Sequence, residues 1–228
     1  MWRTLLLNLE HLAYHQAIDL MRMLVAKKRE IKYPQVLMLV EHEPVVTLGR
    51  RSNQDDLVVS KECLLEQNIG VHRIERGGLA TYHGPGQLVA YPIFDLQVMK
   101  LGVVQLVSGL EQAVVKTLAE YGLKGESRPN FRGVWIGQEK IASVGIAVRR
   151  SISFHGIALN YATHLEHFDL IHPCGIPNVC MTSMAKVLNQ TVDGRELRHR
   201  MGNHFAGHFK LTYEAASLDQ LKKEFLGG

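Results

Sequence analysis

Two stretches of the chain repeat apolar residues at three- and four-residue steps. In "LEHLAYHQAIDLMRMLVAKKR" (9–29), Leu9, Leu12, Ala13, Ala17, Leu20, Met21 and Leu24 share one face and the stretch ends in basic residues. This is the stripe of an amphipathic helix with cations at its C-terminus. "GVVQLVSGLEQAVVKTLAEY" (102–121) has the same spacing and predicts a core helix that stops before Gly122. Other apolar runs are short. "VLMLVEH" (36–42) predicts a buried strand closed by Pro44, and "VVTLGR" a second extended piece. "DDLVVSKECLLEQNIG" predicts a short helix ending at Gly70, and "VHRIE" and "QLVAYPIFDL" (87–96) flank a glycine-rich run as strands.

Beyond the second helix, "GVWIGQEKIASVGIAV" (133–148) predicts two strands around a Gly137-Gln138 turn, and "FHGIALNYA" (154–162) a third. The last forty residues predict one or two amphipathic helices. Strands and helices mix without regular βαβ alternation. The pattern therefore predicts an α+β fold with one mixed or mainly antiparallel sheet, helices packed on it, and a single domain over 1–228.

Composition narrows the class. With 228 residues, 46% hydrophobic and 21% charged, the chain has the make-up of a globular domain rather than a repeat or a disordered tract. No apolar run approaches the ~18 residues of a membrane span. The first apolar stretch breaks at Asn8 and Glu10, short of a signal-peptide core, so the expected location is cytoplasmic. Net charge is +4, with basic residues in pairs (Arg50-Arg51, Arg149-Arg150, Lys222-Lys223), which favours an acidic partner.

Phosphate-binding, zinc-protease and serine-hydrolase motifs are missing from the sequence. His164 with His167, and His199, His204 and His208, lack a cysteine or carboxylate at ligand spacing and read as solvated faces; no metal is expected. Three cysteines match no disulfide or zinc framework, and Cys63 and Cys180, among apolar neighbours, read as small core residues. Cys174 stands between Pro173 and Gly175, which suits either an exposed thiol in a tight turn or a small core residue. A nucleophilic thiol needs a base, because free cysteine with pKa ~8.5 is only a few per cent thiolate at neutral pH. Lys140 opens the strand "KIASVGIAV" and fits either a partly buried proton shuttle or an exposed strand end.

Four segments together resemble the lipoyl(octanoyl) transferases of lipoate biosynthesis. They are "LVEHEPVVTLGR", "RGGLATYHGPGQLVAYPIFDL", "GVWIGQEKIASVGIAVRRSISFHGIALNY" and "HPCG" with "TSM" after it, in the family's order across residues 39–184. The resemblance implies an α+β fold like the catalytic domains of biotin and lipoate protein ligases. It implies transfer of octanoyl from octanoyl-acyl carrier protein to a lysine of lipoyl carrier domains, those of 2-oxoacid dehydrogenase E2 subunits and glycine cleavage H protein. It also implies Cys174 as the acyl-accepting catalytic residue, Lys140 as its partner, and no cofactor. By the same resemblance the acyl substrate is bound by Arg76, Gly77, Gly78, Leu79, Ala80, Thr81, Tyr82 and His83, by Ser143, Val144 and Gly145, and by Gly156, Ile157 and Ala158.

The glycines suit an acyl tunnel, since they let an extended chain lie close against backbone. His83 and nearby backbone N–H groups are expected near the reacting carbonyl. Arg50, Arg51, Arg149 and Arg150 are candidate contacts for the acidic carrier; nucleic acid and membrane are not expected partners. The rivals are an ATP-dependent lipoate ligase of the same fold, which needs no cysteine, and a non-catalytic carrier-protein or nucleic-acid binder using the basic pairs.

Overall fold

Every residue from Gln35 to Val40 is buried, as happens in a strand whose sheet is covered on both faces. This strand, β2 (Gln35–Glu41), lies inside an eight-stranded mixed sheet in a computed structural model that describes residues 1–27, 34–172 and 179–226. On one side β2 pairs in parallel with β1 (Trp2–His11), which pairs in parallel with the edge strand β11 (Leu211–Ala215). On the other side the sheet runs antiparallel through β6 (Gln87–Ile93), β10 (Ile152–Asn160), β9 (Glu139–Arg149), β8 (Val134–Ile136) and β7 (Glu126–Ser127). Alternate residues of β2 feed two cores: Val36, Met38 and Val40 meet α1 (Tyr14–Lys27), while Leu37 and Leu39 meet α3 (Val103–Ala119) and α5 (Gly194–Phe209).

Caps set the helix limits. The Asp193 carboxylate accepts from the Arg195 and Glu196 N–H groups at the start of α5, and α3 ends just before Gly122, at φ +74°. The short helices α2 (Lys61–Glu66) and α4 (Met184–Leu188) start at Ser60 and Ser183, and α6 (Leu218–Leu226) packs Leu221 beneath α1.

The α+β class agrees with the pattern reading, with three differences. The first helix begins at Tyr14 rather than Leu9, because residues up to His11 hydrogen-bond to β2 and the Glu43 carboxylate receives the Tyr14 N–H at 3.0 Å. The last forty residues hold a strand, β11, beside two helices. The glycine-rich run contains a strand of its own, β5 (Ala80–His83). With β3 (Val45–Leu48) and β4 (Gly70–Arg73) it forms a separate three-stranded sheet in the order β4-β3-β5.

Ala80 and Tyr82 face that sheet's own core with Val46 and Leu48, whereas Thr47, Thr81 and His83 take the opposite face. A buried polar layer forms around that second face. His42 Nδ1 donates to the Leu12 carbonyl at 2.7 Å, which leaves Nε2 to accept from the Tyr91 hydroxyl at 2.8 Å. The His83 ring stacks on Tyr14 with centroids 5.6 Å apart. The Arg76 guanidinium donates to the Thr47 carbonyl at 2.6 Å and to its hydroxyl at 2.7 Å.

Burial pushes His42 down to about 4, His83 to about 3, with His42 as a further cause, and His155 to about 4, with Arg76 as a further cause. All three lie below the unfolded value of 6.5. Protons thus bind the unfolded chain first, and stability present above pH 6.5 is lost as the pH falls toward 4. The melting temperature is expected to drop on acidification across this window with a slope of more than one proton. His42→Gln should flatten it by one proton's share, up to about 3 kcal/mol. A slope identical in the variant, measured by calorimetry at several pH values, would remove His42 from this account.

Candidate active site

The polar layer borders a narrow cavity of about 40 Å³ between the two sheets. Arg76, Gly77, Gly78 and Leu79 contribute from the loop entering β5, and Thr81 and His83 from β5 itself. Ser143, Val144 and Gly145 of β9 and Gly156, Ile157 and Ala158 of β10 complete the set, drawn from paired positions of one antiparallel ladder. Gly145 faces Gly156 across that ladder. A Cβ on Gly156 would fall on the Ala90 carbonyl oxygen of β6, so only glycine lets these strands lie this close. Of the residues expected to bind the acyl substrate, Ala80 and Tyr82 alone are missing from the lining, because alternation along β5 sends them into the small sheet's core. The Tyr82 hydroxyl instead meets His167 Nδ1 at 2.8 Å.

The far lining came from outside the expected set: Tyr14, Val89, Tyr91 and His155. The signal available for it was polar and aromatic residues within apolar strands, as in "QLVAYPI" and "ISFHGIALN". His155 carries a further mark, a φ of +56° inside a regular ladder, and its Nε2 is buried without a hydrogen-bond partner among the described residues.

Lys140, the second residue of β9, is 1% exposed. Its N–H donates to the Cys180 carbonyl at 2.8 Å and its carbonyl accepts from Thr182 N–H at 2.9 Å, a short parallel bridge centred on Met181. Lys140 Nζ lies 5.6 Å from the Trp135 ring centroid. Gly133, at φ +123°, makes room for the side chain, since a Cβ there would stand 2.6 Å from Lys140 Cε. Lys140 also lines a wider chamber of about 450 Å³ that shares Gly77, Gly78, Val144 and Gly145 with the narrow cavity.

Cys174 lies outside the described residues. Both flanks of its segment are anchored: His172 N–H donates to the Asp56 carbonyl at 2.9 Å, and Cys180 to Thr182 bond to Lys140 as above. Cys180 is exposed and Cys63 half-buried, so neither is the small core residue its apolar neighbours suggested. The neighbouring Leu64 and Met181 are buried while the cysteines themselves are not.

A hydrogen-bonded chain links the Lys140 bridge to the cavity. Asn160 Nδ2 donates to the Thr182 carbonyl at 3.1 Å, Gln87 Nε2 donates to Asn160 Oδ1 at 2.9 Å, and His83 Nδ1 meets Gln87 Oε1 at 2.6 Å. Carbonyl oxygens of Thr182 and Tyr82 fix both amide orientations, because only the NH₂ ends can donate to them. Gln87 Oε1 therefore accepts from His83 Nδ1–H, and in the neutral ring Nε2 is an acceptor. In that tautomer His83 has no second ring N–H to donate.

Residues 13–206 match the family model described as lipoyl protein ligase A/B catalytic domain. The chain is 43% identical over 220 residues to an octanoyltransferase of Syntrophobacter fumaroxidans, covering 96% of each chain. It is 36% identical over 217 residues to that of Caldicellulosiruptor saccharolyticus, covering 94% of this chain and 92% of the other. Among solved structures, lipoate-protein ligase A bound with ATP superimposes with a TM-score of 0.73 at 17% identity, covering 98% of this chain and 92% of the other. The bi-partite lipoate protein ligase of Thermoplasma acidophilum gives 0.71 at 17%, covering 97% and 90%. The biotin protein ligase of Aquifex aeolicus gives 0.51 at 12%, covering 92% and 70%. These structural likenesses carry the fold, and the curated relatives carry the chemistry: the chain belongs to the octanoyltransferase family, acyltransferases of protein lipoylation.

Proposed function

We propose that the protein takes octanoyl from octanoyl-acyl carrier protein onto the Cys174 sulfur and passes it to the target lysine of a lipoyl carrier domain. Those domains belong to 2-oxoacid dehydrogenase E2 subunits and glycine cleavage H protein. The observation that carries this reading is the junction of the glycine-walled cavity with the chamber holding Lys140, bonded to the segment that follows Cys174.

In the first half-reaction the Cys174 thiol gives its proton to Lys140 and the thiolate attacks the octanoyl carbonyl. The carrier's sulfur leaves with its electron pair and takes the proton back from Lys140. In the second, the acceptor amine attacks the new thioester and Lys140 receives the amine's proton. Amide forms, and the Cys174 thiolate leaves and is reprotonated. One thioester replaces another at little cost, and the amide is the more stable product, so no nucleotide is needed to drive the sequence. Raising the thiolate fraction from a few per cent to most of the population is worth only ~2 kcal/mol. Positioning of the carbonyl and backbone donors must supply the larger share.

Intact mass after mixing the protein with octanoyl-acyl carrier protein, without ATP, should show one octanoyl adduct labile to hydroxylamine and missing from Cys174→Ala. An adduct that forms only with ATP and free acid would favour the ligase reading instead. Lys140→Met, which keeps the buried stem and removes the amine, should slow acyl-enzyme formation by about 10²- to 10⁴-fold at neutral pH, with the melting temperature as the folding control. An unchanged single-turnover rate would take the proton-transfer role from Lys140.

A further inference from the structure

The chamber that holds Lys140 opens between cations and exposed apolar side chains. No aspartate or glutamate is among its described lining residues, while Arg51 and Arg132 are. Arg132 is braced by the buried Glu111 carboxylate at 3.1 Å, and Arg51 has no ion-pair partner among the described residues. Beside these cations, three large apolar side chains stand in solvent: Val103 is 45% exposed, Val104 66% and Phe131 48%. Cations around exposed apolar side chains form the kind of surface that recognises an acidic protein face.

The two carriers of the proposed reaction place different demands on such an opening. An acceptor lysine brings an ammonium group, which a mouth lined by arginines and free of carboxylates repels. An acyl thioester is neutral and arrives on an acidic carrier through a phosphate-linked arm, which the same mouth attracts. The volume of about 450 Å³ leaves room for an extended arm, and the walls shared with the narrow cavity put the end of that arm beside the acyl site.

We propose that the Arg51–Val104–Phe131 face is the docking surface for the acyl-donor carrier protein, with the chamber behind it receiving the arm. This rests on the acyl-transfer reading above. It also separates three of the four arginines weighed from the sequence. Arg51 lines the chamber, whereas Arg149 and Arg150 lie at the far end of β9, about 30 Å along the strand from Lys140.

The test compares two donors, octanoyl-acyl carrier protein and the small thioester octanoyl-N-acetylcysteamine, with Arg51→Glu, Val104→Asp and Phe131→Asp. These side chains are exposed, so folding should survive. The expected result is a KM for the carrier-bound donor raised tenfold or more at low salt. The rate with the small thioester should stay within twofold, and the transfer from isolated acyl-enzyme to a lipoyl domain should not fall. An unchanged KM for the carrier-bound donor overturns the proposal, as do equal losses with both donors or a defect confined to the transfer step. Wild-type protein that accepts octanoyl from neither donor would instead sink the acyl-transfer reading itself.

Discussion

Lys140 is held in place by main-chain bonds to Cys180 and Thr182, so its position depends on how the segment after residue 178 meets β9. The dependence reaches further, because the Thr182 carbonyl is held by Asn160, Asn160 by Gln87, and Gln87 by His83. Four regions distant in sequence thus share one chain of hydrogen bonds. A buried neutral hydrogen bond nets only about 1 kcal/mol, yet stranding one partner costs roughly 1–3 kcal/mol. That asymmetry makes the chain resist slippage: moving any member leaves a buried amide or carbonyl unmet. The cavity wall at His83 and the strand carrying Lys140 are therefore fixed relative to each other.

The cavity itself depends on missing side chains. β10 lies against β6 so closely at Gly156 that no other residue fits, and Gly145 faces it across the ladder. Bare backbone on adjacent strands opens a slot beside β6, a strand buried along its whole length. The small sheet roofs the slot, and it brings polar residues because the face it turns inward bears Thr47, Thr81 and His83. The histidines of that layer remain neutral by burial. Neutral rings suit an alkyl chain better than a row of imidazoliums would, and the Arg76 guanidinium, the charged group of the layer, is turned onto the Thr47 carbonyl and hydroxyl.

Much of this was legible in the sequence where local signals and tertiary demands agree. The core helix before Gly122, the hairpin at Gly137 and the buried run "VLMLV" all follow from spacing and turn chemistry. β1 was not legible, since "LLLNLEHLA" also fits a helical stripe and only parallel pairing with β2 decides for strand. β5 was hidden inside a glycine-rich run whose turns dominate the local signal. Burial of Lys140 was equally hidden: nothing beside it in the sequence announces Gly133 and Trp135 as the residues that make its pocket. Asn160 and Gln87 read as strand ends, and their joint role exists only once β6 and β10 lie side by side.

Solved structures at 12–17% identity share this architecture, so the scaffold asks little of the sequence: apolar runs for a doubly covered sheet and a few glycines where strands crowd. Chemistry has to be argued from the junction between slot and chamber. There buried Lys140 lines the same chamber as Gly77, Gly78 and Gly145, and the chamber opens between cations and exposed apolar residues. A thioester brought to such a junction is already activated, so the protein has only to align it, shield it from water and move one proton at a time. In the proposed transfer, each of those tasks is assigned to residues at the junction. Changes within the doubly covered sheet should alter stability, while changes at the junction should alter which acyl donor and acceptor are used.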